Sequence, residues 1–366
     1  MKMFFFSGFV LVATGNIVAQ SRELKYSLID LGTLGGIYSE ATDVNEVGQV
    51  VGYAHLANSQ SHAFLWHDGT MIDLGTLGGN FSFAYAINEA GQVVGCSDLT
   101  SGQGTHACLW ENGVITDLGT LGGRISSATG INNAGQVVGT ANLPDNFGAH
   151  AFLWESGMMT DLGTLNGSIR SRINAINGQE QLAGYVDLAQ GLGTRACLWE
   201  NGTILDLGTL GGSISAAYSV NESSQVVGEA SLAGNEEKHA CFWENGVITD
   251  LAPEASTISS AKSINARGKV VGYSYKWADL TSREATIWRQ SSENSYVSYN
   301  LNTLLVNPPT GVHLQVAEDI NDAGLIVGYG IMTPEQVHAY LLKPRKVLRP
   351  ISLENSRAHP TQAQPR

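Results

Sequence analysis

Charge, proline and cysteine are all scarce in this chain of 366 residues. Charged residues make up only 14%, and Lys and Arg number 20 against 33 Asp and Glu. The formal net charge of −13 excludes a general nucleic-acid binder, because phosphate contacts need Lys and Arg. Nine prolines are too few for a proline-rich extended protein, and a hydrophobic share of 43% is too high for a disordered one. After the first 19 residues no apolar run approaches the roughly 18 residues of a membrane-spanning helix. His-Glu-x-x-His, Gly-x-Ser-x-Gly, a phosphate loop and Cys-x-x-Cys are all missing. Asp43-x-Asn45 lacks the ligand spacing of a calcium loop. No catalytic residue, metal ligand or cofactor site is therefore assigned.

Glycine, by contrast, is abundant, at 43 residues. The N-terminus has the form of a signal peptide: Lys2, then an apolar stretch over 3–13, then small residues with a cleavage point after Ala19. A secreted or periplasmic location follows as an expectation, and export permits disulfides.

Three phrases recur in constant order. Asp30-Leu31-Gly32 returns at Asp73, Asp117, Asp161 and Asp206, shortens to Asp250-Leu251, and degenerates to Asn300-Leu301. A phrase of the form Asn-x-x-Gly-x-Val-Val-Gly begins at Asn45, Asn88, Asn132, Asn177, Asn221, Asn265 and Asn321. A third, of the form His-Ala-Phe-Leu-Trp, begins at His62, His106, His150, Arg195, His239, Glu284 and His338. Seven copies at a spacing of about 44 residues exclude a two-domain enzyme with distinct halves.

One copy, 76–119, shows what each unit builds. Residues 83–88 are strand-like, and Asn88-Glu89-Ala90-Gly91 is a turn. Residues 92–95 are β-branched, 106–110 form a third strand, and Asn112-Gly113 is the strongest short hairpin signal. Residues 114–118 close the unit. Four antiparallel strands in about 44 residues make a propeller blade, whereas solenoid coils run shorter, at about 20–30 residues. The segment 26–32 has no unit before it, and the last unit stops at 338–342 without its fourth strand. The expected fold is all-β: a seven-bladed β-propeller over 24–344, closed by the N-terminal strand joining the last blade. Pairing the two ends removes both open sheet edges. Residues 345–366, with Arg345, Lys346, Arg349, Arg357 and Arg366 against Glu354, read as a disordered basic tail.

These units resemble the HAF family of probable extracellular repeats. The resemblance rests on 73–79 (Asp-Leu-Gly-Thr-Leu-Gly-Gly), 87–95 (Ile-Asn-x-x-Gly-Gln-Val-Val-Gly) and 150–154 (His-Ala-Phe-Leu-Trp), with 301–305 and 320–324 similar to the family's terminal unit. It covers about residues 26–344. It implies an exported repeat protein with no established activity.

The recurring polar residues read mainly as scaffold. A two-residue turn at Asn112-Gly113 places Cys108 opposite Asp117, and His106 diagonal to Asp117 on the same sheet face. The pair repeats as His62–Asp73, His150–Asp161 and His239–Asp250, and as His338–Asp30 if the ring closes. Five repeats of one pair point to a buried pin on each outer hairpin rather than to a site. Trp66, Trp110, Trp154, Trp199, Trp243 and Trp288 share one position and read as core between blades. Cys108, Cys197 and Cys241 stand at the Phe position of the third phrase; Cys96 and Cys108 leave a disulfide open.

The candidate ligand site lies where units differ. The Asn-x-x-Gly and Glu-Asn-Gly turns, on one face, are nearly constant. The second-to-third-strand loops on the other face vary freely, as at 142–148 and 235–238. Three and five residues before each repeat Asn the side chains also vary, giving Glu40, Phe83, Tyr85, Arg172, Asn174, Tyr218, Lys262 and Glu318. His313 joins them from the divergent stretch 307–313, and 275–294 is a second divergent segment. These residues are expected to ring the channel mouth of a monomer and bind an extracellular protein or glycan. The alternative is a lyase or hydrolase acting at the same mouth.

Overall fold

The repeat phrases fold as strands because β-branched runs alternate with residues that stop them. In the Asn-x-x-Gly turn the Asn88 carboxamide oxygen accepts from the amides of Ala90 and Gln92, and Gly91 takes a φ of 77°. At the hairpin tip Asn112 and Gly113 both have positive φ, 52° and 76°, as a type I′ turn demands. The computed structural model describes residues 20–350, apart from 101, 166, 235–236, 253–256, 277–281, 293–294 and 334–335. The expected signal peptide and residues 351–366 of the expected tail lie outside the described residues, as do parts of the loop at 235–238 and of the segment 275–294.

Strand β1 (Gln20–Gly32) precedes a meander of β2 (Gly35–Val44), β3 (Val50–Leu56), β4 (Ser61–His67) and β5 (Thr70–Asp73). The second meander is β6 (Gly78–Ile87), β7 (Val93–Leu99), β8 (Thr105–Glu111) and β9 (Val114–Gly119). The third is β10 (Ser126–Ile131), β11 (Val137–Asn142), β12 (Ala149–Glu155) and β13 (Met158–Asp161). Next come β14 (Ser171–Ile176), β15 (Leu182–Asp187), β16 (Thr194–Glu200) and β17 (Thr203–Asp206). They are followed by β18 (Gly211–Val220), β19 (Val226–Leu232), β20 (Lys238–Glu244) and β21 (Val247–Asp250). The sixth meander is β22 (Thr257–Ile264), β23 (Val270–Lys276), β24 (Glu284–Ser292) and β25 (Ser295–Asn300). Last are β26 (His313–Ile320), β27 (Ile326–Thr333) and β28 (Gln336–Pro350), with β1 as the fourth member.

The β1–β28 pairing is antiparallel and sets Leu28 opposite Leu342 and Tyr26 opposite Pro344. His338 Nδ1 lies 2.9 Å from the Asp30 carboxylate, 308 residues away in the chain. One boundary needs correcting. Residues 345–350, expected in the tail, continue β28 and pair with residues 20–25. An antiparallel partner is available there to satisfy their backbone groups, so the strand does not stop where the repeat phrase does.

The apolar core lies between neighbouring meanders. Trp66 packs with Ala41 and Val44 and also with Val327 and Leu341 of the last meander. Trp110 packs with Val51 and Ala63 of the first. All four cysteines are free and buried. Cys96 pairs with Ala107 while Cys108 pairs with Gly95, so their side chains point to opposite sheet faces and cannot bond.

A chain of side-chain bonds links the same turns. Asn45 Nδ2 donates to the carbonyl of Asn88, Asn88 to that of Asn132, Asn132 to Asn177, and Asn177 to Asn221. Asn221 donates to Asn265, Asn265 to Asn321, and Asn321 to Asn45. All seven asparagines are buried.

The His–Asp pins are present at all five places, at 2.8–3.0 Å. Except at His239, which is 3% exposed, they are less buried than expected: in the pins of His62, His106 and His150 the His is 16–18% exposed and the Asp 39–41%. The outer hairpin stands at the rim, where no further strand covers the carboxylate. Where the third phrase begins with Glu284 the polarity is reversed, and its carboxylate accepts from Asn300 and Asn302.

Candidate functional site

The innermost strand of every meander carries a β-bulge three residues before the repeat Asn. In β2 the pairing runs from Ala41↔Gly52 to Asp43↔Val51, leaving Thr42 without a cross-strand partner. The same slip leaves out Tyr85, Thr129, Asn174, Tyr218, Lys262 and Glu318. A bulge bends the strand and re-aims the extra side chain. All seven of these side chains line one cavity of about 230 Å³. The bulge also explains the glycine that ends each Val-Val-Gly. A Cβ on Gly52 would lie 1.9 Å from the Glu40 carbonyl oxygen, and one on Gly95 as close to that of Phe83.

Of the expected site residues, Tyr85, Asn174, Tyr218, Lys262 and Glu318 therefore share the cavity wall. Lys262 Nζ is 3.8 Å from Glu318 Oε2 and 5.0 Å from the Tyr218 ring centroid. Burial alone would lower the Lys262 pKa, but the Glu318 carboxylate reverses this and the net shift is upward. Burial raises the Glu318 pKa, against the pull of Lys262.

The others are placed differently. Glu40 is not in the cavity wall; its two carboxylate oxygens accept from the hydroxyls of Tyr38 and Tyr53. Phe83 stands edge-on to Tyr53, centroids 4.9 Å apart. His313 Nε2 lies 2.8 Å from the Arg283 carbonyl. Arg172 is exposed on β14, paired with Tyr185.

Two groupings of residues went unseen in the sequence. The first is the residue after each Val-Val-Gly, which pairs across strands with the position five before the Asn: Tyr53 with Glu40, Tyr185 with Arg172, Tyr273 beside Ser260, Tyr329 with Val316. That pairing was available as a signal. Arg283 joins this aromatic group, 4.9 Å above the Tyr273 ring. The second set is Asp43 and Asp319, two residues before the Asn of the first and last units. The other units carry Ala86, Gly130, Ala175, Ser219 and Ser263 there. Asp43 accepts from the amides of Val44 and Ile87, both at 2.8 Å. Asp319 accepts from the Ser263 hydroxyl at 2.6 Å and shares the Val44 amide at 3.2 Å. Burial, with the Asp319 carboxyl next, pushes the Asp43 pKa well up. Among the described residues no group of three or more His, Cys, Asp or Glu is placed to hold a metal ion.

No family model and no curated protein sequence matches this chain. Solved structures do. The β-propeller domain of the Trilobed protease from Pyrococcus furiosus, described as having an open velcro topology, is 8% identical, with 88% of this chain and 97% of that chain covered and a TM-score of 0.55. A gluconolactonase from Xanthomonas campestris is 12% identical, with 87% and 90% covered and a TM-score of 0.42. The SapL1 lectin, solved with alpha methyl fucoside, is 13% identical, with 75% and 98% covered and a TM-score of 0.36. The first of these likenesses shows the fold, a β-propeller; the other two are weaker and carry no argument.

Proposed function

We propose that this chain is a secreted binding propeller, related to the HAF-type repeats, that docks an extracellular protein or glycan at the mouth of its central channel. The proposal includes a ring of seven four-stranded blades. The hydrogen bonds that pass from Asn45 through six further asparagines and back to Asn45, and the β1–β28 pairing, support closure.

One observation carries the reading: a bulge common to all seven units delivers seven side chains of five kinds into one cavity. The scaffold is constant where it holds the backbone and varied where it meets a ligand. Aromatic rings at Tyr85, Tyr218 and Tyr273, with Lys262 and Arg283 beside them, offer flat apolar faces and charged hydrogen-bond groups, which suits sugars or peptide side chains. The protein beginning near Gln20 would be probed on glycan and peptide arrays. A hit is expected to weaken at least tenfold in Tyr218→Ala and Lys262→Met, and to persist in Asp117→Ala, on the outer rim. Binding that ignores both mouth substitutions would place the ligand elsewhere. Turnover of an arrayed compound would favour the lyase or hydrolase reading.

A further inference from the structure

The Asp43–Asp319 pair lines the same cavity but is given no part in the docking described above, and its geometry calls for its own explanation. The two carboxyls come from β2 and β26, the innermost strands of the first and last units, 276 positions apart in the chain. One amide, that of Val44, is shared between Asp43 Oδ1 at 2.8 Å and Asp319 Oδ2 at 3.2 Å. Both carboxyl groups therefore reach the same N–H and stand side by side. Two like charges that share one donor repel, which favours keeping one proton on the pair. Among the described residues no Lys, Arg or His forms an ion pair with either carboxyl.

Every other charged or titratable group near the pair is engaged elsewhere. From β26, Glu318 adds negative charge and turns to Lys262. Lys262, on β22, is held by that carboxylate and the Tyr218 ring. Glu40, further along β2, is held by Tyr38 and Tyr53. From β6 come Tyr85, which is neutral, and the Ile87 amide. Arg283 lies over Tyr273 and Tyr275. The remaining partner, the Ser263 hydroxyl of β22, ties a fourth strand to the pair.

We propose that Asp43 and Asp319 form a proton-holding clasp across the junction of the first and last units, tight while the pair keeps one proton and loosened when it is lost. The direction with pH follows. The folded-state pKa of Asp43 lies above its unfolded value, so the clasp contributes fully below the unfolded pKa of about 4 and is lost as pH rises through the folded one. This is opposite to the usual salt-bridged Asp, and it would make the junction tightest in acidic surroundings.

The test compares the pH dependence of unfolding in wild type, Asp319→Asn and Asp43→Asn. In Asp319→Asn the carboxamide oxygen still accepts from Ser263, and the amide replaces the oxygen that faced the Val44 N–H, leaving a neutral group beside Asp43. Between pH 5 and pH 8 the wild-type unfolding constant is expected to rise at least tenfold more than that of Asp319→Asn, since each unit of differential pKa is worth a factor of ten. A second readout does not depend on the stability of a variant: the infrared spectrum of the wild type at pH 6 should contain a protonated-carboxyl stretch that titrates away at higher pH and is missing in Asp319→Asn. Parallel pH profiles for wild type and both variants, or no protonated carboxyl at pH 6, would overturn the clasp.

Discussion

Replacing Asn132 by Ala should cost this protein more than almost any other single polar substitution. The side chain makes four bonds from a site only 6% exposed. Its amide donates to Gln136 Oε1 at 2.7 Å and to the Asn177 carbonyl at 3.3 Å. Its oxygen accepts from the amides of Ala134 and Gln136 at 3.1 and 3.0 Å. Alanine leaves all four partners without it. The Gln136 backbone amide and Oε1 both belong to a buried residue, whereas the Asn177 carbonyl keeps the Glu180 amide at 3.3 Å. Orphaning a buried polar group costs about 1–3 kcal/mol, so the two Gln136 groups together predict a loss of roughly 3–4 kcal/mol. In a domain of this size that corresponds to a fall in Tm of roughly 5 °C. Asn132→Asp should be worse at neutral pH, because a carboxylate would face two acceptor oxygens, and should recover partly in acid. The neighbouring Asn133→Ala, an exposed position, should change stability by less than about 0.5 kcal/mol. Chemical and thermal unfolding of the three variants decide the matter. A Tm for Asn132→Ala within 1 °C of wild type (a shift of under about 1 kcal/mol by the same scale) would show that the asparagine chain does not hold the units together.

Three more outcomes follow from the same geometry. Asp117→Ala should lower stability by only about 0.5–1 kcal/mol, because the carboxylate is 39% exposed and the ion pair is correspondingly screened; a loss above about 3 kcal/mol in denaturant melts would mean the pin is stronger than its exposure allows. Gly95→Ala should destabilise by more than about 3 kcal/mol or prevent folding, since its Cβ would meet the Phe83 carbonyl oxygen at 1.9 Å, whereas Gly113→Asn, in open space at a φ of 76°, should be tolerated within about 1 kcal/mol. Deleting residues 20–32 removes the partner of β28 and the fully buried Tyr26, so light scattering should detect aggregation; a truncated protein that stays monomeric and melts normally would refute the importance of the β1–β28 seam.

The strands and turns were legible because they are set by local chemistry that repeats. Asn112-Gly113 fixes a two-residue turn, the turn fixes the register of β8 on β9, and the register fixes which side chains face each other. The His106–Asp117 pair could therefore be placed from residue spacing alone, and so could its repeats. What spacing could not give was depth. The pins were expected to be buried, and only the absence of a further strand outside the hairpin leaves their carboxylates half in water.

The sequence by itself determined the period, the strand order within each unit, the complementary chain ends and the varied positions of the inner strand. It did so because each depends on residues close together in the chain, read seven times over. The tertiary structure alone decided which of those positions converge. A bulge is a slip of one residue between strands, invisible in either strand alone, and it sends Thr42, Tyr85 and Glu318 into the cavity while Glu40 and Phe83 pack against Tyr53. The tail was misjudged at 345–350 because the partner that orders it comes from the other end of the chain. Asp43 and Asp319 were not read as a pair because each alone is an ordinary residue in an ordinary strand. They become a pair only where the first unit meets the last, and no local pattern records that contact.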